Sequence, residues 1–308
     1  MPKARSPFDV TGPGRPGPSP EQNSGRIEKE IQLSFDLDSY LARIRLPARP
    51  TVDGYGLVAL QRAHRLSIPF ENIDVALGRG IAIDSAAVFG KLVTAGRGGY
   101  CFEHNRLFLD ALEALGFEAR PLLARVWLGV GETPPLTHTL SLVTLGSETW
   151  IADPGFGGSY APPMPLVDGA AVDAPDGARF RLRRDDAHGW MLLRDGDPAT
   201  TDGRGVGEGW RPQYSFTEDM VWDSDLAMGN WWSSTAPASR FRQLVVASIV
   251  LPRGFASLTD RRYRRRSAEE EAAGEITDPR VYRMRMSLMF GIDLTRDEIA
   301  ELRLFPEE

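Results

Sequence analysis

From about residue 33 to residue 115, apolar positions recur in steps of three and four, the spacing of helices with one buried face. Tyr40, Leu41 and Ile44 form the first group, with Asp36 or Asp38 placed to cap it. Leu57, Leu60 and His64 mark a second helix over about 55–66, and residues 88–93 a third helical stretch. Gly98 and Gly99 break the pattern. Cys101 then opens a helix whose apolar face is Leu107, Phe108, Ala111, Leu112 and Leu115, with Gly116 as its C-cap. From residue 119 the period drops to two. Runs at 121–128, 139–144, 149–152, 179–182 and 190–193 predict an antiparallel sheet or barrel. Asp185-Asp186 and Asp195-Gly196-Asp197 predict turns, and 201–209 a glycine-rich loop. The pattern is irregular over 230–240 and reads as a strand or two over 241–251. It ends over 275–301 in a short strand signal and a final helix. Residues 1–32 stand apart as a disordered Pro/Gly-rich tail, because the stretch from Thr11 to Pro20 has no apolar side chain to bury. Gly12, Gly14 and Gly17 match a dinucleotide fingerprint there, but no strand precedes them and prolines occupy the loop.

Composition narrows the functional classes. The 308 residues carry a net charge of −6, which gives no support for nucleic acid as a partner over the whole surface. No apolar run reaches the roughly 18 residues of a membrane span, so no membrane partner is expected. The first residues have no apolar h-region, and one cysteine without a targeting segment fits a cytoplasmic location. The basic run from Arg261 to Arg266 reads as a solvated face balancing Glu269, Glu270 and Glu271, with attraction of phosphates as the alternative.

The lone thiol points to chemistry. Cys101 sits in Arg97-Gly98-Gly99-Tyr100-Cys101-Phe102-Glu103-His104-Asn105, at a helix start. His138 opens one strand-like run and Asp153 closes another, in Asp153-Pro154-Gly155-Phe156-Gly157-Gly158. A thiol nucleophile, an imidazole base and a carboxylate to orient it are the parts of a covalent acyl-transfer site. Helix N–H groups and a neighbouring imidazole are expected to lower the Cys101 pKa, and the two glycines to let a substrate approach the sulfur. If a two-residue turn joins 139–144 to 149–152, Asp153 either faces His138 (turn at Leu145-Gly146) or is its diagonal neighbour (turn at Gly146-Ser147). Both registers put the side chains on one face. His104, one turn after the thiol, is a poor alternative base; His64 reads as a helix-face residue and His188 as a turn residue. No Cys-x-x-Cys or His-Glu-x-x-His spacing supports a metal.

These segments resemble the arylamine N-acetyltransferase family. Residues 97–105 look like its nucleophile motif and 153–158 like its acid-and-glycine loop. Residues 64–84, with Ile68-Pro69-Phe70-Glu71-Asn72-Ile73-Asp74, look like its N-terminal helical segment. The resemblance runs over about 35–304 and thins after 169; Pro154 departs from the family's usual small aliphatic residue. It implies an α+β fold: an N-terminal helical bundle bearing Cys101 (33–118), a central antiparallel β-barrel bearing His138 and Asp153 (119–215), and a C-terminal α/β lid (216–308), around a cysteine-protease-like core. It implies acetyl-CoA as co-substrate without a metal, and an aromatic amine, hydrazine or N-hydroxyarylamine as acceptor, by double displacement through acetyl-Cys101. Phe70, Val126, Thr137, Phe156 and Phe241 would line the acceptor pocket, and Gly155, Gly157 and Gly158 would lie near coenzyme A. The alternatives are an amide synthase of the same family fed by a carrier-bound acyl chain, or a thiol hydrolase with the same three residues. Oligomeric state is left open.

Overall fold

The computed structural model describes residues 35–204 and 207–306; the predicted tail lies outside the described residues. The Asp36 carboxylate accepts from the Ser39 N–H at 3.0 Å and starts α1 (Leu37–Arg43). Asp53 starts α2 (Gly54–Ser67) in the same way, accepting from Gly56 at 2.8 Å. A two-residue strand, β1 (Phe70–Glu71), follows, then the short α3 (Ile73–Ala76) and α4 (Ser85–Phe89) and a π-helical turn at Gly90–Thr94. Next comes α5 (Cys101–Leu115), whose predicted face is buried at Leu107, Phe108, Ala111 and Leu112 and half-buried at Leu115. Tyr40, Leu57, Leu60, Val88, Leu107, Phe108 and Leu112 share one core, which Val143 and Ala152 of the neighbouring sheet close.

That sheet has eight antiparallel strands: β2 (Glu118–Val126), β3 (Leu136–Leu145), β4 (Glu148–Ala152), β5 (Met164–Pro165), β6 (Ala171–Asp173), β7 (Arg179–Asp185), β8 (Gly189–Asp195) and β9 (Arg211–Phe216). Their order is β5-β4-β3-β2-β9-β8-β7-β6, nearly closing into a barrel filled by Leu122, Leu140, Phe180, Leu182, Leu192 and Phe216. The sequence pattern does not predict β9, because Pro212 interrupts it. Pro212 sits where the register slips against Leu193, a bulge position at which proline is tolerated.

Two expectations for the last third are corrected. Residues 230–235 of the stretch read as irregular belong to α6 (Asp223–Thr235), which buries mostly small and polar residues (Gly229, Asn230, Ser233 and Ser234 beside Leu226) and exposes Met228 and Trp231, so no apolar stripe marks its period. The strand expected from residue 241 begins later. Ser239 caps a helical turn, α7 (Arg240–Gln243), before β10 (Val246–Leu251). β11 (Gly254–Thr259), β12 (Arg262–Ser267) and β13 (Glu271–Glu275) complete a second antiparallel sheet, in which β10 also pairs with β1. α8 (Pro279–Phe290) and α9 (Arg296–Glu301) cover it. The basic run lies on β12 and is balanced by acids: Arg265 meets Glu270 at 3.3 Å and Arg266 meets Glu271 at 2.9 Å. Among the described residues no helix is long and apolar enough to cross a membrane.

Candidate active site

Cys101 is the first residue of α5, and the sulfur is almost wholly buried. The preceding Tyr100 N–H donates to the Glu103 carboxylate at 3.0 Å, which sets the angle at which the chain enters the helix. The thiol points at β3, donating to the Thr137 carbonyl at 3.6 Å. That carbonyl is available because β3 bulges there: Ala124 pairs with His138 and Arg125 with Leu136, which leaves Thr137 as the extra residue. On β4, Leu145 pairs with Glu148 and Ser141 with Ala152, so the turn is Gly146-Ser147. Asp153 is therefore the diagonal neighbour of His138 on the same face, the second of the two registers considered above. The His138 Nε2–H donates to Asp153 at 2.7 Å, leaving Nδ1 without a hydrogen-bond partner among the described residues. Asn105, one turn along α5 from Cys101, donates to the other Asp153 oxygen at 3.1 Å, and the Gly155 N–H reaches that oxygen at 2.9 Å.

Burial first, and the Asp153 charge second, push the Cys101 thiol up; the N–H groups of Phe102 and Cys101 pull it down but do not win. This corrects the expectation of a lowered value: the helix terminus is present, but the sulfur is too dry for it to dominate. Burial by itself would raise Asp153 as well, yet the His138 charge and the hydrogen bonds from His138 and Asn105 hold it below the usual carboxylate range. The glycine expectation is also corrected. A Cβ on Gly98 would stand 2.3 Å from the Pro69 carbonyl oxygen, so that glycine is required by backbone packing under β1 rather than by access to the sulfur.

Cys101 and His138 open onto a cavity of about 190 Å³. Phe70, Val126, Thr137, Phe156 and Phe241 all line it, as do Gly155 and Gly157. Gly158 does not; it is packed against Leu128 and Phe156. The other histidines are elsewhere. His104 turns away from the thiol and donates to the Pro69 carbonyl at 3.0 Å. Its Nδ1 accepts from His64 at 2.8 Å, and His64 accepts from the Tyr40 hydroxyl at 2.9 Å.

A family model described as N-acetyltransferase matches residues 55–299. An arylamine N-acetyltransferase of Escherichia coli is 40% identical over 220 residues, 71% of this chain and 74% of that one. The chain belongs to the arylamine N-acetyltransferase family. It is an acyltransferase. The solved arylamine N-acetyltransferase of Salmonella typhimurium superimposes with a TM-score of 0.78 at 34% identity, covering 86% of this chain and 97% of that one. The Mycobacterium marinum family member solved in complex with CoA gives 0.77 at 29% identity, covering 87% and 98%.

Within this acetyltransferase fold, sequence reasoning missed two residues around the carboxylate. Gln61 of α2 accepts from the Asp153 N–H at 2.6 Å and donates to the Ala161 carbonyl at 2.7 Å, holding both ends of the acid loop. Tyr214 of β9 packs on His138 and Phe156 with ring centroids 5.2 and 5.1 Å away. A buried glutamine in a helical stretch is the only signal for the first; the second is hidden in the strand that Pro212 masks. Pro154 fits its place: it offers no N–H, so Gly155, the next donor, turns back onto Asp153.

Proposed function

We propose that the protein is an acetyl-CoA-dependent N-acetyltransferase acting on aromatic amines, hydrazines or N-hydroxyarylamines through an acetyl-Cys101 intermediate, in the cytoplasm. The observation that carries this reading is the His138–Asp153 hydrogen bond, which fixes the tautomer with Nδ1 free, beside the cavity into which Cys101 opens. Because burial keeps the resting thiol protonated, the nucleophile forms by proton transfer from sulfur to His138 as the donor binds. Asp153, held as an anion, stabilises the imidazolium. The sulfur attacks the thioester carbonyl, the N–H groups of Cys101 and Phe102 at the helix start receive the developing oxyanion, and the coenzyme leaves as a thiol with the His138 proton. The amine then attacks acetyl-Cys101 while His138 accepts its proton, and the thiol re-forms.

Size supports an aromatic acceptor. A cavity of about 150 Å³ holds benzene; this one, about 190 Å³, is faced by Phe70, Val126, Phe156 and Phe241 and suits one substituted ring better than a long carrier-bound chain. The decisive experiment is mass spectrometry of the intact protein after acetyl-CoA alone. One acetyl adduct is expected in the wild type and none in Cys101→Ala. Release of coenzyme without added amine in step with loss of the adduct would instead identify a hydrolase, and intersecting double-reciprocal lines would contradict double displacement.

A further inference from the structure

Arg65 of α2 is fully buried, yet the acyl-transfer steps above make no use of it. Its Nη2–H donates to the Phe156 carbonyl at 3.3 Å, and Nε and Nη1 have no partner among the described residues. No carboxylate there hydrogen-bonds to this guanidinium. Burial lowers its pKa to about 10, so it stays charged at neutral pH; Asp153 foremost, then Tyr160, oppose the fall. A buried cation without a bonded anion is destabilising by itself, and its retention calls for a compensating role.

The acid loop supplies one. Gln61 and Arg65 lie four residues apart on α2 and so face the same way. Gln61 accepts from the Asp153 N–H and donates to the Ala161 carbonyl, and Arg65 takes the Phe156 carbonyl between those two points. One helical face therefore clamps the loop and sets a positive charge behind Asp153. The His138 charge steadies Asp153 only while the imidazole carries a proton. In the resting site that proton is on sulfur, so Asp153 is a buried anion and Arg65 the cation that balances it. Proton transfer then adds one thiolate and one imidazolium, and the sum stays at zero. Without Arg65 the same site would carry −1 throughout, which opposes a second anion on sulfur. We propose that Arg65 is a positioning residue, a built-in counter-ion that holds the Asp153 loop and neutralises the site before His138 takes the thiol proton. This rests on the acetyl-transfer reading and adds a residue to it.

The other titratable groups facing Asp153 are His138 from β3, Cys101 from α5 and Tyr214 from β9; those facing Arg65 are Asp153, Tyr160, His64 and His104. Arg65→Gln removes the charge and keeps a donor for the Phe156 carbonyl, whereas Arg65→Lys keeps the charge. Iodoacetamide alkylation of Cys101, followed between about pH 5 and about pH 10, needs no substrate. Loss of the cation disfavours every anion around it, so in Arg65→Gln the profile moves up by about one pH unit, the low end for an opposite charge, and in Arg65→Lys it returns toward the wild type. Formation of acetyl-Cys101 at saturating acetyl-CoA slows about tenfold in Arg65→Gln. The KM for the amine holds, because Arg65 lines no part of the cavity. A profile that stays in place overturns the proposal. So does alkylation that is faster at every pH, or an equal loss in both variants, since either would make Arg65 a packing residue. Arg65→Met repeats the test if Arg65→Gln does not fold. A displaced profile in the variant, with a wild type that forms no acetyl adduct, would sink the transferase reading and leave the counter-ion standing.

Discussion

The His138 ring is hydrogen-bonded through one nitrogen only among the described residues. Its Nε2 is committed to Asp153, and that carboxylate is fixed by Asn105, Gly155 and, through the backbone, Gln61. Asp153→Asn presents an amide that can turn its N–H₂ toward the ring and select the wrong tautomer. We expect kcat for arylamine acetylation to fall by roughly 10⁴, with circular dichroism unchanged; a loss below tenfold would contradict the role of Asp153. Gly155→Ala acts on the same shell by crowding. The added Cβ would sit 2.2 Å from Asn105 Nδ2 and 2.8 Å from the Cys101 carbonyl oxygen. Overpacking of this kind is destabilising by about 1–3 kcal/mol, so the melting temperature and kcat should fall together. Cys101, His138 and Asp153 are legible in the sequence because short motifs surround them. Gln61 and Tyr214 are not, because they reach the acid loop from segments far away in sequence and nothing local marks them.

Two helices, α2 and α5, are joined under the site by the buried chain Tyr40–His64–His104–Pro69. With both imidazoles neutral, the Pro69 carbonyl, which can only accept, gives every proton in the chain one position. Burial pushes His104 down to about 3 from 6.5, and His64 well below its ordinary value. Folded pKa values below the unfolded ones mean stability that is fully present above about pH 6.5 and lost as pH falls toward 3, at about 1.4 kcal/mol per unit for each histidine. His104→Gln can keep both hydrogen bonds without titrating. Urea unfolding of that variant between about pH 6 and about pH 4 should show a slope of free energy against pH smaller by about 1.4 kcal/mol per unit. An unchanged slope would place the titrating groups elsewhere. The two helices themselves follow from three- and four-residue spacing, but their coupling through histidines does not, because periodicity marks a buried face without saying which partner covers it.

Over the whole molecule, the site depends on segments far apart in sequence being brought together. β1 joins the C-terminal sheet through β10, and Asn72 beside it donates to the Phe241 and Leu244 carbonyls, both at 2.8 Å, and accepts from Val246 at 2.7 Å. Asn72→Ala leaves those backbone groups buried and unpaired, which is destabilising by about 3 kcal/mol. Because Phe241 lines the cavity, the acceptor KM should rise as well; a lower melting temperature with KM unchanged would mean that this stitch is purely structural. The helices followed by an antiparallel sheet are legible in the switch in period at residue 119, and the resemblance supplies the α+β class. The five-stranded sheet is less legible, since β1 is two residues long and β12 is a run of arginines that satisfies no apolar alternation. The single thiol carries a liability of its own. A cysteine oxidised to sulfenic acid is ordinarily rescued by a second, resolving thiol, and this chain has none. Peroxide damage at Cys101 can be undone only by a small thiol narrow enough to enter the same cavity as the substrates, so occupancy by either substrate shields the sulfur from oxidation and from repair alike.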